Sequence, residues 1–179
     1  MPKRKAVFLD RDGVINKAVI KNGFPCAPTS SEQFEILPDV KSSLNALSEA
    51  GFFLIVITNQ PDVARGLVEI RVIEQMHKNI KSELKIDVIK VCFHDDLDGC
   101  HCRKPKPGLI FDAAREFEVD LSESFVIGDR WRDIDAGLAA GCKTIFIDNG
   151  YLEKKPRGFL FSCESLWRAT EWILSSPNY

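Results

Sequence analysis

The chain has 179 residues, enough for one well-buried domain over 1–179 and cramped for two. Hydrophobic residues make up 45% and charged residues 28%, as in a globular protein, and a net charge of −2 argues against a polyanion-binding surface. The apolar run at 52–58 is too short to cross a bilayer, and too few apolar residues follow the basic start "MPKRK" for a signal peptide.

In chain order, "KAVFLD" (5–10) predicts a buried strand. "DVKSSLNALSEAG" (39–51) predicts a helix, with Val40, Leu44 and Leu47 on one face and Gly51 as its stop. "FFLIVIT" (52–58) reads as a central parallel strand covered on both faces. A helix over 69–85 aligns Ile70, Ile73, His77, Ile80 and Leu84 along one stripe, with His77 expected as a partly buried core residue. Then come a strand at 86–93, a helix at 107–119 with Pro107 near its first turn, and strands at 124–129 and 143–148 flanking a helix at 131–141. A short strand "GFLF" (158–161) and a helix from 165 to 175 finish the pattern. This alternation predicts an α/β fold, a Rossmann-like, doubly wound and mainly parallel sheet without a large cap domain. Cys26, Cys142 and Cys163 are isolated and read as small hydrophobes, Trp167 and Trp172 as packing residues, and "EKKPRG" (153–158) as a solvated loop.

Asp10, Thr58 and Asp129 each end a predicted strand, the edge at which open α/β sheets bind ligands. Singly, each could be an N-cap or turn residue; together, with Lys104 in the loop before a helix, they point to one site. Asp10 and Asp12 are two residues apart, and Gly13 permits a tight turn after them. One carboxylate can attack phosphorus while the other moves a proton. Two carboxylates facing a phosphate call for a divalent cation, and a hard ion such as Mg²⁺ fits, with Asp129 completing its shell and Asp133 behind it. Lys104 supplies positive charge to the phosphate oxygens and the Thr58 hydroxyl a donor.

"DRDGVIN", "VITNQ", "CRKPKPG" and "IGDRWRDIDAG", in that order and spanning about 7–148, resemble the four motifs of the haloacid dehalogenase superfamily of phosphatases. The resemblance implies that Asp10 is the nucleophile, Asp12 the acid/base, Thr58 the second-motif residue and Lys104 the third-motif lysine. It implies Asn59 and Arg103 at the substrate, and Asp10, Asp129 and the main-chain carbonyl of Asp12 on magnesium.

Half of the six cysteines and two of the three histidines fall within 92–102. Cys92, His94, Cys100 and Cys102 form C-x-H-x5-C-x-C, and one intervening residue in an extended segment turns both side chains to one face. Two such pairs can close a tetrahedral zinc site whose four positions are all filled, which makes it structural; free buried thiols are the alternative. His101 is expected to point the other way. In a cytoplasmic protein, the location expected here, clustered cysteines more often mean metal than disulfides.

Within that superfamily, a zinc loop followed at once by "CRKP" resembles the D-glycero-D-manno-heptose 1,7-bisphosphate phosphatases and the related histidinol-phosphate phosphatases. The implied activity is Mg-dependent phosphomonoester hydrolysis through an aspartyl-phosphate. The implied substrate is the 7-phosphate of the heptose bisphosphate in bacterial lipopolysaccharide synthesis, with histidinol phosphate as the alternative. Zinc is expected to order a loop poor in apolar residues so that Arg103 and Lys104 are preset for phosphate. The segment 17–25 is expected to form a loop over the pocket. "TNQPDVARG" departs from the commoner T-N-Q-S-G-I-A-R-G at Pro61 and Asp62, and the added carboxylate is expected to disfavour a second phosphate close to it. Arg130 stands where a lysine often follows the motif IV aspartate. Nucleic-acid 3′-phosphatases share these motifs, but the sequence has no basic groove or stacking platform. A non-catalytic zinc-organised binding module would leave the five core polar residues without a common purpose. The expectation is a monomer acting on a small phosphorylated substrate, with no nucleic-acid or membrane partner.

Overall fold

A computed structural model describes residues 3–176, so Met1 and Pro2 of the basic N-terminal stretch lie outside the described residues. In chain order the elements are β1 (Ala6–Leu9), β2 (Val19–Lys21), β3 (Phe24–Cys26), α1 (Val40–Glu49), β4 (Phe53–Asn59), α2 (Ile70–Glu83) and β5 (Val88–Cys92). They continue with α3 (Gly108–Phe117), β6 (Phe125–Gly128), α4 (Trp131–Ala139), β7 (Lys143–Ile147), β8 (Phe161–Cys163) and α5 (Leu166–Ser175). Six strands form one sheet in the order β5-β4-β1-β6-β7-β8, and every pairing in it is parallel.

Side chains that alternate along the strands feed two cores. Val7 and Leu9 face a layer built from α1, α2 and α5, with Leu44, Leu47, Ile80 and Ile173 among the buried residues. Ala6 and Phe8 face the opposite layer, where Leu109, Ile110 and Ala113 of α3 meet Ala136 of α4. Burial on both faces is why β1, β4 and β6 read as uninterrupted apolar runs. The doubly wound parallel sheet expected from the alternation is the fold observed. No described helix is long and apolar enough to cross a membrane.

Four local expectations need correction. The last strand is Phe161–Cys163, not 158–161, because the segment that pairs with β7 begins at Phe161 opposite Ile145. On α2, Ile70 is 45% exposed and Met76 is fully buried: Ile70 is the first helical residue, and the inner face runs through Ile73, Met76 and Ile80. Trp167 is 38% exposed, whereas Trp172 stacks on Phe161 with centroids 5.1 Å apart. The 153–158 loop is not simply solvated, since Glu153 ion-pairs with Arg130 and Lys154 lies 3.6 Å from the Trp131 ring centroid.

The segment after Gly13 holds a small antiparallel hairpin, β2 with β3. Asn22 and Gly23 both take positive φ (52° and 83°), as a two-residue hairpin turn requires. Its strands are three residues each, too short for an alternation pattern to be read from sequence. Leu152 N–H donates to Gly23 O at 2.9 Å, tying the hairpin to the loop after β7.

Candidate active site

The sheet order reverses at β1, whose two neighbours are β4 and β6. Ligands bind at such a reversal, beyond the carboxyl ends of the strands. The register sets Leu9 beside Ile127 and Val56, so Asp10, Thr58 and Asp129 leave the same edge on adjacent strands. Gly13 sits at φ +92°, and a Cβ there would collide with the Asp129 carboxylate, so this turn admits only glycine. The first turn of α4 brings in Asp133, whose Oδ2 accepts from Arg130 N–H at 3.0 Å.

Asp10, Asp129 and Asp133 are all buried and offer oxygens that lie within 4.8 Å of one another. Lys104 reaches into the group with its Nζ 2.7 Å from Asp10 Oδ1, 2.6 Å from Asp133 Oδ1 and 2.8 Å from Ile57 O. One ammonium serves two of the three carboxylates, Asp10 and Asp133. Burial, reinforced by Asp133, pushes Asp10 up to about 6, against the pull of Lys104. Burial, then Asp10 and Asp133, raises Asp129 well above the usual carboxylate range. Burial alone would depress the Lys104 ammonium, but Asp10 and Asp133 outweigh it and hold it above its ordinary value.

Asp129 Oδ2 accepts from Tyr151 O–H at 2.7 Å, while Oδ1 is buried with no partner. A buried carboxylate oxygen without a donor, in a cluster of hard oxygens with excess negative charge, suits a cation of the Mg²⁺ type.

Asp12 is held apart from this cluster. Its carboxylate accepts from Arg11 Nη2 (2.9 and 3.0 Å), Asn16 Nδ2 (3.0 Å) and Gln60 Nε2 (2.8 Å). Gln60 Nε2 also donates to Thr58 Oγ1 at 2.9 Å, which links the second-motif hydroxyl to Asp12. Arg11 is fully buried, and its Nη1 lies 3.0 Å from His77 Nε2. Burial and then Arg11 push His77 down to about 4, so the neutral imidazole accepts from the guanidinium. His77 is thus part of the support for Asp12 as well as a partly buried helix residue.

Cys92, His94, Cys100 and Cys102 come together as the spacing predicted. Cys92 Sγ lies 3.8 Å from Cys100 Sγ and 3.2 Å from Cys102 Sγ; His94 Nδ1 lies 3.6 Å from Cys92 Sγ and 3.3 Å from Cys102 Sγ. Tetrahedral thiolates about 2.3 Å from a zinc ion stand about 3.8 Å apart, so the four atoms fit that ion with little adjustment. His101 turns away and meets Asp112 at 2.8 Å.

Arg103 and Lys104 leave this loop toward the cavity and have anchors outside the Cys and His cluster. Asn59 clamps the Lys104 backbone through both amide atoms, at 3.1 Å each. Asp95 takes a two-pronged bond from Arg65 (2.6 and 2.8 Å), and Asp96 accepts from Arg103 Nε at 2.8 Å. Asp62 pairs with the same Arg65 at 3.2 Å, so the added carboxylate has a cationic partner within its own segment, shared with Asp95.

Asp10, Asp12, Asn59, Arg103, Lys104 and Asp133 line one cavity of about 250 Å³, roofed in part by Pro25 and Cys26 of the hairpin, whereas Thr58, Asp129 and the Cys and His cluster lie outside its lining. Sequence reading passed over Arg11, Asn16, Gln60, Tyr151 and Glu153. Gln60 and Asn16 stand inside the recognised motifs; Tyr151 lies 22 positions from its partner Asp129 and has no local signal.

A HAD-hydrolase-like family model matches residues 101–158. A D-glycero-β-D-manno-heptose-1,7-bisphosphate 7-phosphatase of Helicobacter pylori is 35% identical over 94% of this chain and 97% of its own length. The α-anomer-named counterpart of Campylobacter jejuni is 37% identical over 89% of each. Among solved structures, a D,D-heptose 1,7-bisphosphate phosphatase from B. bronchiseptica, complexed with magnesium and phosphate, superposes with a TM-score of 0.81. It has 32% identity and covers 95% of this chain and 98% of that one.

Proposed function

Since the chain belongs to the haloacid dehalogenase-like family of the D-glycero-D-manno-heptose 1,7-bisphosphate 7-phosphatases, we propose that it removes the 7-phosphate of that heptose bisphosphate, acting as one phosphatase domain. The observation that carries the reading is the meeting of Asp10, Lys104, Asp129 and Asp133 at the β1–β6 edge, on a fold shared along nearly the whole chain with such an enzyme.

Asp10 attacks phosphorus, forming an acyl phosphate as the bond to the sugar oxygen breaks. Asp12, protonated, gives its proton to that leaving oxygen; as a carboxylate it then takes one from the water that cleaves the Asp10–phosphate bond. The Arg11, Asn16 and Gln60 contacts hold Asp12 at the cavity wall as a carboxylate, and it exchanges them for the leaving oxygen and the water when it moves a proton. Lys104 counters the charge on the phosphate oxygens, Thr58 donates to them, and Arg103 with Asn59 lines the substrate side. A magnesium ion held by Asp10, Asp129 and the Asp12 carbonyl, with Asp133 behind, would neutralise charge between carboxylates and substrate. A zinc ion held by Cys92, His94, Cys100 and Cys102 would order the loop before Arg103. Six free cysteines suit a reducing, cytoplasmic setting, and a cavity lined by arginines and Lys104 suits a phosphorylated sugar of surface-sugar synthesis, on which the chain would act as a monomer.

Steady-state phosphate release with magnesium tests the substrate. One anomer of the heptose bisphosphate is expected to exceed histidinol phosphate in kcat/KM by about a hundred-fold or more, as expected when a buried site is built for the favoured substrate's polar groups. Equal, poor rates on both would discard the substrate.

The cation makes a separate prediction. Asp10 holds its proton more tightly in the folded chain than in the unfolded one, a contribution present below the ordinary carboxylate range and lost as pH rises through about 6. Magnesium needs these carboxylates ionised and therefore competes with protons. At pH near 7.5, magnesium at about a hundred times its Kd should raise Tm by roughly 5–10 °C. Near pH 5 most of that rise should vanish. The same shift at both pH values, measured by calorimetry, would remove the carboxylate cluster as the cation site.

A further inference from the structure

The cavity over Asp10 does not end at Lys104. A second space of about 120 Å³ adjoins it and shares Asp96, Arg103, Lys104 and Arg132 with it. At the junction two arginines from different elements converge on one carboxylate oxygen: Arg103 Nε lies 2.8 Å and Arg132 Nη1 3.2 Å from Asp96 Oδ1. Arg103 follows the zinc loop; Arg132 belongs to the first turn of α4, one residue before Asp133.

We infer that Arg132, paired with Arg103, forms a subsite for the substrate's non-scissile phosphate, and that Asp96 is the exchangeable counter-ion that occupies it until substrate arrives. The inference rests on the bisphosphate reading above and names the residue that would discriminate for the second phosphate.

Three features carry it. The cations are the held partners and the carboxylate is the loose one: the Arg103 and Arg132 side chains are 11% and 26% exposed, Asp96 54%. Arg132 is steadied by the Trp131 ring, 4.8 Å from its guanidinium carbon, and Arg103 by His94 O at 3.3 Å. An exposed ion pair is weak and easily exchanged, whereas a phosphate accepts from both guanidinium groups at once. Each of the other carboxylates nearby has a cationic partner of its own or shares one: Asp62 and Asp95 share Arg65, Asp10 and Asp133 share Lys104, and Asp12 pairs with Arg11. Convergent cations therefore face an opening beside the reacting centre, and a phosphate at the far end of a sugar reaches it from Asp10 through the shared wall of the two spaces.

Arg132→Met keeps the stem against Trp131 and removes the charge; Arg132→Lys restores charge without the fork; Asp96→Asn removes the counter-ion. The readout is kcat/KM on the heptose bisphosphate and on fructose 1,6-bisphosphate, each relative to p-nitrophenyl phosphate, which has no second phosphate. Arg132→Met should cost roughly ten- to a hundred-fold more on a bisphosphate than on the monoester, the size expected for lost charged hydrogen bonds. Arg132→Lys should recover part of that difference, and Asp96→Asn should lower KM for the bisphosphate selectively. Equal losses on all three substrates, or no loss on any, would overturn the subsite; a strong heptose preference untouched by Arg132→Met would overturn it while leaving the substrate assignment standing. Arg132-dependent preference for fructose 1,6-bisphosphate with heptose bisphosphate ignored would do the reverse. A wild-type chain that treats neither bisphosphate better than the monoester overturns both.

Discussion

Replacing Asp10 by Asn is expected to lower kcat by about 10⁴-fold or more, since the amide cannot attack phosphorus and the remaining groups only bind and polarise. The fold should survive. Three carboxylates are buried together, only Asp10 and Asp133 of them paired with Lys104, and burial with the neighbouring Asp133 raises the proton affinity of Asp10 to about 6. Removing one negative charge relieves that crowding, while Lys104 keeps Asp133 at 2.6 Å and Ile57 O at 2.8 Å. In the absence of divalent cation near pH 7.5, Tm of Asp10→Asn should therefore equal or exceed that of the wild type. Rapid-quench mass spectrometry should find a phosphoryl group on the Asp10 peptide in the wild type and none in the variant. A folded variant that keeps a tenth of the wild-type rate would refute the nucleophile.

Loss of zinc should be the second largest effect. Cys92→Ser, or verified removal of zinc, should open 93–102 to proteolysis and lower Tm, because the proposed zinc would close a loop with little apolar surface of its own. Activity should fall about a hundred-fold, the scale of a misplaced substrate-side group. This is less than for Asp10→Asn, because Lys104 has anchors that do not involve the metal: the Asn59 clamp on its backbone and the buried carboxylates at its tip. Arg103 has fewer, so the bisphosphate rate should suffer more than the p-nitrophenyl phosphate rate. Wild-type activity and protease resistance in a chain shown by elemental analysis to lack zinc would end the structural role.

By itself the sequence determined the fold class and the grouping of Cys92, His94, Cys100 and Cys102; of the carboxylate cluster it gave Asp10 and Asp129, while Asp133, expected behind them, stands among them in the structure. Strands buried on both faces must be nearly all apolar, so β1, β4 and β6 are visible as runs, and residues closing such runs must emerge at one sheet edge. That placed Asp10, Thr58 and Asp129 together before any contact was known. The C-x-H and C-x-C spacings work in the same local way, by alternation along an extended backbone.

The tertiary structure decided whatever depends on partners far apart in the chain. Tyr151 donates to Asp129 Oδ2, His77 accepts from buried Arg11, and Arg65 reaches Asp95, across separations that carry no periodic signal. The charge at Asp62 counts against a phosphate only when it is unpaired, and pairing is a property of the folded chain. So is the meeting of Arg103 and Arg132 at Asp96, which needs the zinc loop and α4 side by side. Local covalent geometry writes periodicity into sequence, whereas the balance of buried charge is settled only when the sheet brings its loops to one edge.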